Sequence, residues 1–260
     1  MMYSTGGWFT GWLAGLGGLA LFLAGCSYLP EEQEVSGVLT VTEDRNYIVI
    51  APNWERSART GLVFYPGGLV DPHAYIEPLS QFAKSGKGHV VVILKMPGNL
   101  AIFDPHEGAW MFDRFPWIKQ WFIGGHSLGG VMACSTVAKY PEFFRGILLL
   151  ASYAQPADNL SSWNHYVLSV WGERDSILEP DIVLNSAPYL PPAHIIGKPE
   201  ELPLTRDPKT IYYEIPGGNH AQFGHYGKQH GDGEATITRE EQTAVWVSLL
   251  QKMFDYYAWD

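Results

Sequence analysis

From Val38 onward the chain alternates short apolar runs with segments of helical periodicity. The runs are VLTVT (38–42), YIVIAP (47–52), GLVFYP (61–66), HVVVILKM (89–96), WFIGG (121–125), GILLLA (146–151), YVLSVWG (166–172) and TIYYEIP (210–216). They are apolar at consecutive rather than alternate positions and rich in β-branched and aromatic residues, which predicts strands covered on both faces. Between them lie helices with readable ends. Asp71-Pro72 offers an N-cap with proline at the first helical position, and Tyr75, Ile76, Leu79, Phe82 and Ala83 then share one face before Gly86. LGGVMACSTVAKY, from Leu128, reads as a helix packed by Val131, Met132, Val137 and Ala138. TREE (238–241) is a capping box leading into Val245, Leu249, Met253 and Tyr257 at helical spacing. Two early strands that can pair as a hairpin, then strands and helices in alternation, predict an α/β domain. Its mostly parallel sheet has about eight strands and helices on both faces.

The first residues follow a different pattern. Trp8 to Ala24 is apolar and uncharged, and LAGC (23–26) follows directly. This resembles the lipobox of bacterial lipoproteins, in which the cysteine becomes a lipidated N-terminus. The resemblance implies a signal over 1–25, lipidation of Cys26, a tether over 26–37 and a domain over 38–260. It places that domain in the cell envelope, held to a membrane on the extracytoplasmic side. MMYSTGG, before Trp8, lacks the Lys or Arg usual in a secretory n-region. Two other readings stay open: an uncleaved anchor, since about 17 apolar residues is the lower limit for spanning a bilayer, and a buried N-terminal segment. SYLPEEQEVSG, after Cys26, is polar and without periodicity, and as a free tether it could extend roughly 36 Å.

Composition narrows the classes of function. With 260 residues, 46% hydrophobic and 17% charged, the chain suits one large globular domain. A net charge of −10 argues against nucleic acid as a partner, because phosphate binding needs clustered Lys and Arg. Cys134 is the only cysteine besides Cys26. Lipidation of Cys26 would therefore leave no partner for a disulfide, and Cys134 is expected to pack as a small apolar residue.

Candidate chemistry centres on WFIGGHSLGG (121–130). Gly-x-Ser-x-Gly is common by chance, but here Ser127 falls at a predicted strand-to-helix junction, where glycines at 125 and 129 permit a tight turn and close packing of helix on strand. The Leu128 N–H, at the helix N-terminus, then faces a developing oxyanion. A serine hydroxyl needs a base, and the base an orienting acid. IPGGNHAQFG sets His220 just past the 210–216 strand, and VWGERDSIL sets Asp175 just past the 166–172 strand. Glu173 and Asp181 compete with Asp175 as the acid. Among nine histidines, His225 is the rival base, His230 shares its loop, and His126 is the variable residue of the serine motif. His73, His89, His106, His165 and His194 read as surface or element-end residues, with no metal-site spacing. YPGGLVDP (65–72) supplies a glycine pair after a strand, so the backbone N–H of Leu69 or Gly68 is the expected second oxyanion donor.

YPGGLVDPHAY, KMPGNLAIFD, WFIGGHSLGG and GGNHAQFGHYG together resemble the α/β-hydrolase superfamily across about residues 38–258. More narrowly they are similar to the small serine-hydrolase group related to dienelactone hydrolases. YPGGL is similar to the HGGG-type loop of esterases, with Pro66 in place of His. Dienelactone hydrolases commonly use cysteine where Ser127 stands, which favours general ester hydrolysis. The resemblance implies attack by Ser127 on an ester carbonyl, with His220 as base, Asp175 holding the imidazolium, the Leu128 and Leu69 amides on the oxyanion, and no cofactor or metal. It leaves open a peptidase, a lipase or an acyltransferase with the same triad, and a binding lipoprotein on a catalytically silent hydrolase fold. The 152–163 segment is too short for a lid domain. The stretch 176–209, with seven prolines, is longer than one connection needs and is a candidate flap.

Overall fold

The structure is a computed structural model that describes residues 28–32, 37–53, 59–85, 89–203, 205, 207 and 209–257. The apolar 8–24 run and Cys26 lie outside the described residues.

Among the described residues, nine strands form one sheet: β1 (Leu39–Glu43), β2 (Tyr47–Pro52), β3 (Thr60–Tyr65), β4 (Val90–Leu94), β5 (Gln120–His126), β6 (Phe144–Leu150), β7 (Tyr166–Gly172), β8 (Ala193–Ile195) and β9 (Thr210–Ile215). They lie in the order β1-β2-β4-β3-β5-β6-β7-β9-β8. β1 pairs antiparallel with β2 and β2 antiparallel with β4, while β3 through β9 run parallel. Five α-helices accompany the sheet: α1 (Ile76–Ala83), α2 (Met111–Arg114), α3 (Leu128–Lys139), α4 (Pro180–Asn185) and α5 (Arg239–Tyr257).

The consecutive apolar runs are explained by two cores, one on each face. On one face Leu62, Phe64, Val91 and Phe122 meet Phe82 of α1 and Trp246, Leu250 and Phe254 of α5. On the other, Val63, Trp121, Ile123 and Tyr212 meet Cys134 and Val137 of α3 and Met111 of α2. Cys134 is a free, fully buried thiol. His89, just before β4, is fully buried too. Its ring stacks on Phe82 at 4.8 Å, and its Nδ1 bonds the Thr60 hydroxyl at 2.6 Å. The TREE cap forms as a reciprocal pair: Glu241 N–H donates to Thr238 Oγ1 (3.1 Å) and Thr238 N–H to Glu241 Oε2 (2.8 Å).

Three local features differ from the sequence reading. β8 joins the edge of the sheet from within the proline-rich stretch, where three residues are too few to register as a strand pattern. That stretch also holds α4, so β8 pins much of the candidate flap to β9. After Asp71, whose Oδ1 accepts the His73 N–H at 2.9 Å, Pro72–Tyr75 forms a 3₁₀ turn and α1 begins only at Ile76. Within the segment read as a tether, residues 28–32 are hydrogen-bonded to the domain. Tyr28 N–H donates to Leu69 O (2.8 Å), Asp71 N–H to Tyr28 O (2.9 Å) and Glu31 N–H to His225 O (2.8 Å).

Candidate active site

Among the described residues, four that bear side chains adopt positive φ, and each follows the carboxyl end of a different parallel strand. Leu69 (φ 61°) follows β3, Asn99 (φ 55°) β4, Ser127 (φ 52°) β5 and Ala151 (φ 44°) β6. Because β4, β3, β5 and β6 are sheet neighbours in that order, these residues share one edge. Such conformations cost about 1–3 kcal/mol each and persist where the surroundings over-determine them.

At Ser127 (φ 52°, ψ −125°) the constraint is both steric and polar. A Cβ at Gly129 would overlap the carbonyl oxygens of Tyr65 and Pro66, and one at Gly125 the backbone of Gly129, so only glycine lets α3 close onto β3 and β5. Ser127 N–H donates to Leu150 O (2.9 Å), and Ser127 O accepts from Gly130 N–H (3.0 Å) and the Ser152 hydroxyl (2.8 Å).

The loop after β3 brings Gly68 against the Leu128 side chain. It treats the two candidate donors, Leu69 and Gly68, differently. Leu69 N–H is spent on Asn99 O at 2.8 Å, a bond made possible by the left-handed turns at both residues. Gly67 N–H donates to the Tyr75 hydroxyl at 3.0 Å. Among the described residues, the N–H groups of Gly68 and Leu128 have no protein acceptor, and the Leu128 side chain lies against Gly68. Of the two candidate donors in this loop, Gly68 N–H is therefore the one without a protein acceptor among the described residues.

On the other side, His220 Nδ1 lies 2.7 Å from Asp175 Oδ2, with both side chains sealed from solvent. Asp175 Oδ1 accepts the N–H groups of Ile177 (2.9 Å) and Leu178 (2.8 Å), so both carboxylate oxygens are occupied. A carboxylate accepting at Nδ1 holds the proton there and leaves Nε2 as the basic atom. The rival groups face elsewhere. Glu173 is exposed and accepts the Gly217 N–H at 2.8 Å, and Asp181 is exposed in the first turn of α4. His225 N–H donates to Ala74 O, and its Nε2 lies 3.6 Å from Glu77, toward α1. His230 is exposed.

Two contributors had no sequence signal beyond ordinary loop and core chemistry. Asp232 sits in GDGE, which reads only as a turn. It ties the acid and base loops together: Oδ2 accepts Ala221 N–H (2.8 Å), and Oδ1 accepts Ser176 N–H (3.3 Å) and Gly233 N–H (2.8 Å). His126, the variable position of the serine motif, is fully buried with its ring 4.5 Å from that of His220. Its Nδ1 lies 2.8 Å from the Tyr75 hydroxyl. The same hydroxyl accepts from Gly67 N–H at 3.0 Å. Burial, and then the neighbouring His220, push His126 well below its ordinary pKa, so it stays neutral. The described residues contain no group of three or more His, Cys, Asp or Glu side chains able to hold a metal ion.

A mostly parallel sheet with a strained serine between a central strand and its following helix, and a His–Asp pair on the same carboxyl edge, has the architecture of the α/β hydrolases. The chain matches the Alpha/beta hydrolase family over residues 61–244 and belongs to it. Solved structures of similar fold include a predicted CIB-like hydrolase from Thermoplasma acidophilum (17% identity, TM-score 0.57, 82% of this chain and 99% of that one). Others are Est1E from Butyrivibrio proteoclasticus (11%, 0.54, 84% and 100%) and a dienelactone hydrolase from Anabaena variabilis (14%, 0.53, 88% and 98%). The comparison with curated proteins gives no match. Family membership supports a hydrolase, and the solved structures share its fold.

Proposed function

We propose that this protein is a serine hydrolase of carboxylic esters, acting through Ser127, His220 and Asp175 and tethered to a membrane by a lipidated Cys26. The observation that carries the reading is the sealed His220–Asp175 pair at 2.7 Å, its His220 ring 4.5 Å from that of His126, next in sequence to a serine held at φ 52°. His220 Nε2 takes the hydroxyl proton as Ser127 Oγ attacks the ester carbonyl. The oxyanion forms against the Gly68 and Leu128 N–H groups, where the first turn of α3 adds its dipole. Collapse breaks the ester bond, and the leaving alkoxide receives the proton from His220. Water, deprotonated by the same Nε2, then cleaves the acyl-enzyme and restores Ser127. Asp175 stays ionised and stabilises the imidazolium at each step. Family membership supports hydrolysis, while the ester class rests on the serine at the nucleophile position.

The direct test is a fluorophosphonate probe followed by peptide mapping. The adduct is expected on Ser127 and absent from Ser127→Ala. Labelling elsewhere, or equal labelling of both proteins, would remove Ser127 as nucleophile. For the anchor, Cys26→Ala is expected to release a soluble or unprocessed form. Retention on the membrane at the processed mass would overturn the lipidation.

A further inference from the structure

Resting on that reading, we infer that the active-site mouth faces the bilayer that holds the anchor, and that the substrates are acyl esters presented at a phospholipid surface. The basis is where the N-terminal chain enters the domain. Tyr28 forms a parallel bridge with Val70 in the loop after β3, giving its N–H to Leu69 O and taking that of Asp71. Its ring lies 5.3 Å from Tyr226, on the His220 side, and Glu31 pairs with Arg239 Nη1 at 2.8 Å while its N–H binds His225 O. The strap therefore crosses from the oxyanion loop to the loop that carries the base.

Cys26 precedes Tyr28 by two residues, so the lipid attachment lies at most about 7 Å of chain from a residue bonded to the oxyanion loop. A free tether would let the domain turn any face to the membrane. A docked one leaves only the face at Tyr28.

That face carries apolar side chains where a soluble enzyme would gain nothing from them. Leu29, next to Tyr28, is 67% exposed, and Phe103 62%. Ile102 and Phe103 follow Leu100, whose side chain approaches Gly68, and Ile177, also exposed, donates its N–H to the triad acid. Scattered exposed apolar residues are ordinary. These sit on segments tied to the site: Leu29 beside Tyr28, Ile102 and Phe103 just after Asn99, whose carbonyl takes the Leu69 N–H, and Ile177 two residues from Asp175. The chain's net charge of −10 gives no overall attraction to anionic lipid, and we assign the seating to apolar insertion.

The test uses the full-length, membrane-processed protein in phosphatidylcholine vesicles carrying a fluorogenic diacylglycerol, with p-nitrophenyl acetate as a water-soluble control. Phe103→Asp is expected to lower turnover of the vesicle-borne ester about ten-fold or more, the loss of one inserted large apolar side chain, and to leave the soluble ester unchanged. A second readout needs no catalysis. A fluorophore on Phe103→Cys should be quenched by brominated lipid, whereas one on Lys119→Cys, exposed just before the amino end of β5, should not. Equal quenching at both sites, none at either, or loss of both activities in parallel would overturn the orientation. Failure of the wild type to sediment with vesicles would overturn it together with the anchor. If neither ester is cleaved while residue 103 alone is quenched, the orientation stands and the hydrolase reading falls.

Discussion

The two halves of the site are held in place by different physics. On the elbow side, backbone sterics dominate: Ser127, Leu69 and Asn99 sit at positive φ, and glycines at 125 and 129 let backbone approach backbone. On the acid–base side, hydrogen bonds dominate: both oxygens of Asp175 and both of Asp232 are occupied. Steric positioning has no intermediate state, because an added methyl group either fits or forces the helix away. A hydrogen-bonded loop loses its partners one at a time. Substitutions on the elbow side should therefore act abruptly, and those on the acid–base side by degrees.

The largest effect expected separates chemistry from strain. Ser127→Gly should abolish ester turnover, a loss of about 10³-fold or more. It should also raise the melting temperature, because glycine adopts φ 52° without the roughly 1–3 kcal/mol cost. Unchanged or lowered stability by calorimetry would mean that the elbow is not strained. His220→Ala should match the activity loss with no gain in stability. Near-normal turnover would move the base elsewhere, with His225 the next residue to test.

Next comes Gly129→Ala, whose methyl group has only the carbonyl oxygens of Tyr65 and Pro66 to meet. Overpacking of this kind costs about 1–3 kcal/mol. Thermal unfolding and fluorophosphonate labelling should both suffer, and a well-folded, fully labelled variant would show that α3 can slide.

A graded response is expected from Asp232. Asp232→Ala should lower kcat about ten-fold while leaving KM close to its original value, since charged hydrogen bonds contribute about 1.5–3 kcal/mol each. Asp232→Asn, which keeps one acceptor oxygen, should recover part of the loss. An equal loss in both variants would point to charge rather than tethering. Tyr75→Phe removes the link between Gly67 and His126 and should cost a few-fold in kcat, on the order of 1 kcal/mol.

A last effect lies away from the site and concerns stability alone, with none expected on turnover. Burial brings His89 down to about 4 from an ordinary 6.5. As pH falls the unfolded chain takes up this proton first, so the His89 contribution is complete above pH 6.5 and is lost progressively toward pH 4. The loss is on the order of 3 kcal/mol at its fullest. His89→Phe should flatten denaturant-measured stability across that window. An unchanged slope would assign the acid sensitivity to other groups.

Much of the sheet was legible because burial on both faces demands consecutive apolar residues, and runs such as YIVIAP and YVLSVWG have no other good use. β8 was not, since an edge strand of three residues between prolines has too little side-chain pattern to betray its pairing. The positions of Ser127, Asp175 and His220 were readable as strand-end residues because each follows an apolar run directly. Tyr75 looked like one more apolar helix position, and its hydroxyl acquires meaning only where Gly67 and His126 meet it. Asp232 and Asn99 are ordinary loop residues until the fold brings their acceptors to Ala221 and Leu69.

The sequence by itself determined the class of the domain, the order of its strands along the chain and the residue types at the carboxyl edge, because these follow from periodicity and from glycine's tolerance of tight turns. Only the tertiary structure decided which backbone N–H groups remain free, which loops are tied together, and where the N-terminal strap docks. Those outcomes depend on hydrogen bonds between segments far apart in the chain, and local patterns carry no record of such bonds.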